Sequence, residues 1–475
     1  MKSFVRWVAL VGLSSFVALA QQPQPTVAAT PPMGWNSWDA YGLTITEPQF
    51  RANVDVLQHK LLPFGWNYAV IDEGWYFENP ADRPTPDKLR YAIDPYGLYV
   101  PVPARFPSGV LPGSPSPQAS PADATHKLPA TIEATTFADL GAWVHAKGLK
   151  FGIHIVRGIP RAAVERNLPI EASEFHAQEA ADPTDACPWD PTNWGVRDNP
   201  AGQAWYDSLL RQYASWGVDL LKVDCIADHP FKLDEIEMIH RAIEKTGRPI
   251  VLSLSPGPTQ LSHAAEVTRL SNMWRIADDH WDVWSSSPTS PFPQGINDQF
   301  PRLAAWAPYA KPGNWPDADM LPLGQLSPEP GEGKARATRL SPDEQRTELT
   351  LWSIARSPLI VGANLTLLDE PTLALLTNRD LIAIDQTATK SSEILHEGDL
   401  IVWQADLPNH KIALAFFNTS DAPLNLKRTF AELNPSLAPH AWKARDVWAA
   451  KDLGPQRGVS TDLAPHASLL FVLQP

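Results

Sequence analysis

The chain has 475 residues, 44% of them hydrophobic and 19% charged, and a formal net charge of −14. That balance excludes a disordered chain and argues against a nucleic-acid partner, whose phosphates require a basic face. The length exceeds one ordinary core and predicts a large domain followed by a smaller one.

The elements follow in chain order. In "MKSFVRWVALVGLSSFVALA", Lys2 and Arg6 flank the start of an apolar stretch that ends in Ala18-Leu19-Ala20. Residues 1–20 therefore read as a signal peptide, and the mature protein is expected to be exported, to the periplasm or the medium. The stretch is short for a membrane anchor and no later segment could span a bilayer, so no membrane partner is expected. Residues 21–30 read as a flexible lead-in. From residue 31 to 390, strand-like runs alternate with helical patterns. The runs are "PPMGWNSW", "WNYAVIDEGW", "LKFGIHI", "VDLLKVDC", "PIVLSLSPG", "NMWRIADD", "WPDADML" and "SPLIVGANL". Helix starts are marked by Thr46 with Gln49, by Asn199-Pro200, and by Ser341-Pro342 with Glu344. Eight strands in such alternation predict an α/β fold of the (β/α)8 TIM-barrel type. A Pro/Ser-rich insertion at 107–130 is expected on the surface. From 391 to 475 the helical period fades. "LIVWQADL", "KIALAFFNT", "HAWKARDVW" and "ASLLFVLQP" predict an antiparallel β-sandwich.

In a (β/α)8 barrel, chemistry sits at the C-terminal ends of the strands. The run ends here carry Trp35 and Trp38, Asp72 and Glu73, His154, Lys222 and Asp224, Arg275 with Asp278 and Asp279, and Asp317 with Asp319. Each acid alone is explicable as a loop or cap residue, but acids at four strand ends are not. No glycine-rich phosphate cradle and no serine nucleophile elbow occurs. Acids could hold a hard cation, yet Lys222 and Arg275 would compete with it, so neither a metal nor a cofactor is expected. Two carboxylates facing each other across a sugar are equipment for glycosidic bond cleavage. The two cysteines, Cys187 and Cys225, are too few for a disulfide framework or a four-ligand zinc site. They either pair with each other or stand as unpaired small hydrophobes.

In these motifs and their order the chain resembles the family 27 α-galactosidases, over nearly its whole length after the leader. The resemblance implies a barrel, a C-terminal sandwich, and retaining hydrolysis of a terminal galactose or arabinopyranose. It implies that Asp224 of "KVDC" is the nucleophile and that Lys222 holds sugar hydroxyls. It implies an acid/base in "WRIADD", Asp279, with Asp278 the alternative. Trp35 would supply the pocket indole, Arg275 and Asp319 would bind near the reacting centre, and His154 stands where relatives carry tyrosine. It further implies a disulfide between Cys187 and Cys225, since some relatives bridge a cysteine close behind the nucleophile.

Two departures bear on substrate. Galactose-specific relatives read Asp-Asp where this chain has Asp72-Glu73, and the longer Glu73 would intrude where the hydroxymethyl group of galactose sits. In the family that variant goes with β-L-arabinopyranosidase activity. Ser255 occupies a place where some relatives contact the hydroxyl at carbon 2, and a serine there also occurs in α-N-acetylgalactosaminidases. The expectation is thus an exo-acting retaining glycosidase for α-D-galactosides or β-L-arabinopyranosides. The alternatives are an α-N-acetylgalactosaminidase, a catalytically inactive sugar-binding barrel, and a metal-dependent hydrolase.

Overall fold

The computed structural model describes residues 27–82, 88–110, 130–326, 334–438 and 441–475. The leader and most of the 107–130 insertion lie outside the described residues.

Eight parallel strands form the central sheet: β1 (Met33–Asn36), β2 (Tyr68–Ile71), β3 (Lys150–Val156), β4 (Val218–Asp224), β5 (Val251–Leu254), β6 (Met273–Arg275), β7 (Trp315–Asp317) and β8 (Leu359–Val361). Each coincides with one of the eight predicted runs, β3 reaching one residue past its own. They pair in chain order, and β8 returns to pair with β1. A parallel bridge from Leu321 to Val361 draws β7 and β8 together, curling the sheet into a barrel.

The period-two pattern of a strand explains β4. Leu221 and Val223 point outward into the main core, where the helices pack, and Leu220 points inward among Tyr68, Val251 and Met273. Lys222 and Asp224 are the next two inward positions, so the barrel interior is apolar at its base and charged at its top. Register carries this across the sheet: Lys222 lies level with His154 and Ser253, and Arg275 with Asp317.

The predicted helix starts are present. Thr46 and Gln49 form a capping box ahead of α1 (Glu47–Val56). The Asn199 side chain accepts from Gly202 N at the head of α3 (Pro200–Ser215), which follows α2 (Ala138–Ala146). The next helices are α4 (Leu233–Thr246), α5 (Ala264–Leu270) and α6 (Gln299–Trp306). Ser341 and Glu344 box the start of α7 (Pro342–Ala355), and α8 (Arg379–Thr387) closes the barrel. The lead-in is not free at its end. Ala28 O accepts from the Trp315 indole at 2.7 Å and from Gly313 N at 3.0 Å, and Val27 and Ala28 pack on the apolar base.

Two residues after α8 the chain enters an all-antiparallel region. A six-stranded sheet is built from β9 (Thr389–Glu397), β10 (Leu400–Leu407), β11 (Lys411–Asn418), β13 (Trp442–Asp446), β14 (Lys451–Gln456) and β16 (Ser468–Gln474). A two-stranded sheet pairs β12 (Leu424–Thr429) with β15 (Gly458–Leu463). Alternation again divides the labour. Val402, Leu414 and Phe416 face the small sheet, whereas Trp403, Ala415 and Phe417 join the barrel core. Phe417 meets Phe300 of α6 edge-on at 5.0 Å. The sandwich is thus anchored to the barrel by a continuous apolar contact.

Candidate active site

The strand tips line one hollow that opens to solvent. Its wall is formed by Asp72 and Glu73 after β2, Lys222 and Asp224 of β4, Ser255 after β5, and Arg275 of β6. Asp279, His280 and Trp281 join from the loop after β6, Asp319 and Met320 from the loop after β7, and Trp38 and Asp39 from just past β1. These residues come from distant parts of the chain and meet only because parallel strands bring all their C-terminal ends to one face.

Asp224 is held at both of its oxygens. Its Oδ1 accepts from Cys225 N at 2.6 Å, and its Oδ2 lies 3.3 Å from His154 Nε2. Burial alone would raise its pKa, but the His154 hydrogen bond and charge, Lys222 and the Cys225 amide together hold it below the ordinary carboxylate value. Burial likewise works against a charge on His154, and Asp72 and Asp224 overcome it, so the imidazole is raised towards its cationic form. Immediately after Asp224 the chain turns sharply, with Cys225 at φ +61° in the left-handed region that non-glycine residues rarely adopt. Several ties fix that turn. Cys225 is disulfide-bonded to Cys187. Its carbonyl accepts from Arg157 Nε at 2.6 Å, and the same guanidinium binds Asp185 at 2.9 Å and Glu235 of α4 at 2.7 Å.

Lys222 extends along the wall to Asp72. Its Nζ donates to Asp72 Oδ2 at 2.9 Å, and Asn36 Nδ2 donates to the same oxygen at 2.6 Å. Burial opposes the ammonium charge, but Asp72, Asp224 and Asp319 more than offset it and keep Lys222 charged. Asp72 is correspondingly held low, with Lys222 and His154 outweighing its burial.

Asp279 behaves in the opposite way. Burial pushes its pKa up to about 6; Arg275 pulls down, while the charges of Asp319, Asp224 and Asp278 add to the rise. Arg275 is 3.2 Å from Asp279 Oδ1 and 2.8 Å from Asp319 Oδ2. Asp319 also accepts from His280 N at 2.8 Å, and His280 in turn pairs with buried Glu348 of α7 at 2.6 Å. The hollow therefore holds two carboxyls shifted in opposite directions, Asp224 below and Asp279 above the ordinary carboxylate value. That division is what general acid and nucleophilic roles require.

Of the residues singled out in the sequence, Asp72, Glu73, Lys222, Asp224, Ser255, Arg275, Asp279 and Asp319 border the hollow. Three do not. His154 is buried behind Asp224 and acts on it by contact. Asp278 does not border the hollow; its Oδ1 accepts from Asp279 N at 2.9 Å. Trp35 corrects the reading of the pocket indole. It is fully buried in the main core and donates its indole N–H to Ala363 O at 2.7 Å. Asn36 takes the inward position on β1, so Trp35 must point outward. Trp38, beyond the strand end, borders the hollow instead. Asp39 and Trp281 were missed. An acid directly after "WNSW" was the available signal for Asp39, and Trp281 lies two residues past the acid pair with no periodic cue.

The family model "Alpha galactosidase A" matches residues 192–387, and "Alpha galactosidase C-terminal beta sandwich domain" matches residues 397–473. A solved β-L-arabinopyranosidase of glycoside hydrolase family 27 from Geobacillus stearothermophilus is 38% identical, with a TM-score of 0.82, covering 94% of this chain and 97% of that one. A solved putative α-N-acetylgalactosaminidase from Bacillus halodurans is 35% identical, with a TM-score of 0.77, covering 94% and 98%. An α-galactosidase of Oryza sativa is 26% identical over 94% of this chain and 85% of its own length.

Proposed function

Because the chain belongs to glycoside hydrolase family 27, we propose that it is an exported, exo-acting retaining glycosidase releasing terminal β-L-arabinopyranose and α-D-galactose. The observation that carries this is the pairing across one hollow of Asp224, held anionic, with Asp279, held towards its proton. Asp224 attacks the anomeric carbon while the bond to the leaving oxygen breaks and Asp279 delivers its proton to that oxygen. The product of this step is a glycosyl ester on Asp224. Asp279, now a carboxylate, takes a proton from water, which attacks the same carbon and restores Asp224. His154 and Lys222 keep Asp224 ionised, and the Cys187–Cys225 turn fixes its aim.

Glu73 supports the arabinopyranoside preference. Arabinopyranose is galactose without the hydroxymethyl group, and Glu73 brings a carboxylate one methylene further into the hollow than aspartate would. The likeness to an arabinopyranosidase over almost the whole chain supports the same reading. Ser255 at the wall favours a second reading, cleavage of α-N-acetylgalactosaminides, as does the relative so named. The net charge of −14 speaks against a nucleic-acid partner. The Lys2, Arg6 and Ala18-Leu19-Ala20 pattern supports export.

The test is kcat/KM on the p-nitrophenyl β-L-arabinopyranoside, α-D-galactopyranoside and N-acetyl-α-D-galactosaminide. The reading expects turnover of the first two, the arabinopyranoside being at least as good as the galactoside. Turnover of the third alone would favour the second reading, and turnover of none would overturn both.

A further inference from the structure

One carboxyl on the wall of the hollow has no part in the double displacement. Asp39 lies just past β1, borders the hollow and is only 2% exposed. Its Oδ2 is buried with no hydrogen-bond partner. That oxygen is packed against the backbone of Gly362, where a Cβ would come within 1.9 Å of it. Oδ1 is the remaining oxygen of a residue that borders the hollow. A buried carboxylate without a partner is among the costliest groups a protein can hold, and it avoids the cost by keeping its proton.

The surrounding charges act in the same direction. Burial comes first, and the carboxylates of Asp319, Asp72 and Asp279 add to it; Lys222 pulls the other way but does not offset them, so Asp39 is raised well above the ordinary value. The ammonium of Lys222 is already engaged by Asp72 at 2.9 Å. Half-buried Arg336 senses Asp39 but spends its guanidinium on Asp282, at 2.8 Å. Asp72, held low by Lys222 and His154, differs in kind from a neutral Asp39. Ionised carboxylates only accept hydrogen bonds, whereas a sugar hydroxyl both gives and accepts. A neutral Asp39 adds one donor to those that Lys222, Arg275 and Ser255 already bring to the wall.

From this we infer that Asp39 is a substrate-binding residue, donating a hydrogen bond as a neutral carboxyl through Oδ1 to one ring hydroxyl of the bound sugar. The role rests on the glycosidase reading above, but on none of its catalytic steps.

The test combines Asp39→Ala and Asp39→Asn with the parent p-nitrophenyl glycosides and their 2-, 3- and 4-deoxy analogues. Asp39→Ala should lower kcat/KM on the parent by about tenfold or more, and Asp39→Asn, which keeps an N–H donor, should restore most of that loss. On one of the deoxy analogues, and only one, the penalty of Asp39→Ala should vanish. An undiminished Asp39→Ala, or an equal penalty on every analogue, overturns the inference. Should Asp39→Ala not fold, infrared difference spectra between the wild type and Asp39→Asn at neutral pH still decide. The wild type should show the carbonyl stretch of a protonated carboxyl, displaced when galactose or arabinose is added. A carboxylate band in its place, or a band indifferent to sugar, overturns it. Wild-type turnover tests the glycosidase reading separately, so turnover intact with Asp39→Ala unaffected removes the Asp39 role alone.

Discussion

The length of the Glu73 side chain is the sharpest handle on substrate choice. Asp72 beside it is pinned by Lys222 at 2.9 Å, by Asn36 at 2.6 Å and, through its own amide, by Ser37 Oγ at 3.0 Å. The Glu73 backbone is tied to that frame, its amide donating to Asp72 Oδ1 at 2.9 Å. Glu73→Asp therefore retracts one carboxylate by roughly 1.5 Å, one carbon–carbon bond, with its neighbours held in place. On the proposed reading, the vacated methylene volume would receive the hydroxymethyl group of a galactoside. One methylene of fit is worth about 1–3 kcal/mol, or roughly 10–200-fold in discrimination. The stability cost is near the transfer energy of one buried methylene, about 0.8 kcal/mol, too little to unfold the barrel. The assay is the ratio of kcat/KM on p-nitrophenyl α-D-galactopyranoside to that on p-nitrophenyl β-L-arabinopyranoside. In Glu73→Asp the ratio should rise at least about tenfold. Glu73→Gln, equal in length but uncharged, should leave it near the wild-type value. An unchanged ratio in Glu73→Asp, or an equal shift in Glu73→Gln, would refute the steric argument.

Other outcomes follow from the same geometry. The profile of kcat/KM against pH should be a bell, because the reaction needs Asp224 ionised and Asp279 protonated. Activity falls as pH rises through the Asp279 value of about 6, and falls again only below the ordinary carboxylate range, where lowered Asp224 gains a proton. Asp279→Asn should flatten the alkaline limb and cost roughly 10²–10⁴ in rate; a limb that survives would mean another group is the acid. Trp38→Ala should raise KM with the thermal midpoint nearly kept, whereas Trp35→Ala should destabilise by about 3–5 kcal/mol through loss of a buried indole; calorimetry and kinetics on the same two variants would expose a reversal. The Cys187–Cys225 bridge spans 38 residues of sequence, and loop-closure entropy assigns it about 3–4 kcal/mol. Cys187→Ala should therefore melt well below the wild type, and equal midpoints would contradict the bridge.

The fold and the site were unequally visible in the sequence. All eight barrel strands were legible, because short apolar runs and capping residues such as Thr46 with Gln49 are local signals. The acids at the run ends were legible for the same reason, since β4 is apolar until Lys222 and Asp224. The sandwich was only half seen. Strands β10, β11, β13 and β16 carry apolar alternation, whereas β9, β12, β14 and β15 are edge or outer strands rich in Lys, Ser and Asp. Trp35 and Trp38 were confused because both are aromatic and near a strand end. Their separation depends on Asn36 facing inward, a fact of register that emerges only when β1 is paired with its neighbours. Asp39 was hidden for a different reason: its character comes from burial against Gly362 and from Asp319, both distant in sequence.

The central claim is that Asp224 carries the sugar between two displacements. The direct measurement is the mass of the protein, and of its peptides, after brief reaction of the Asp279→Ala variant with an activated aryl β-L-arabinopyranoside or α-D-galactopyranoside. The leaving group of such a substrate needs no acid, and the missing base leaves the second step slow, so one glycosyl unit should accumulate on the peptide containing Asp224 and disappear when azide is added. An aryl substrate consumed with no adduct on that peptide, or an adduct on another carboxylate, would contradict it.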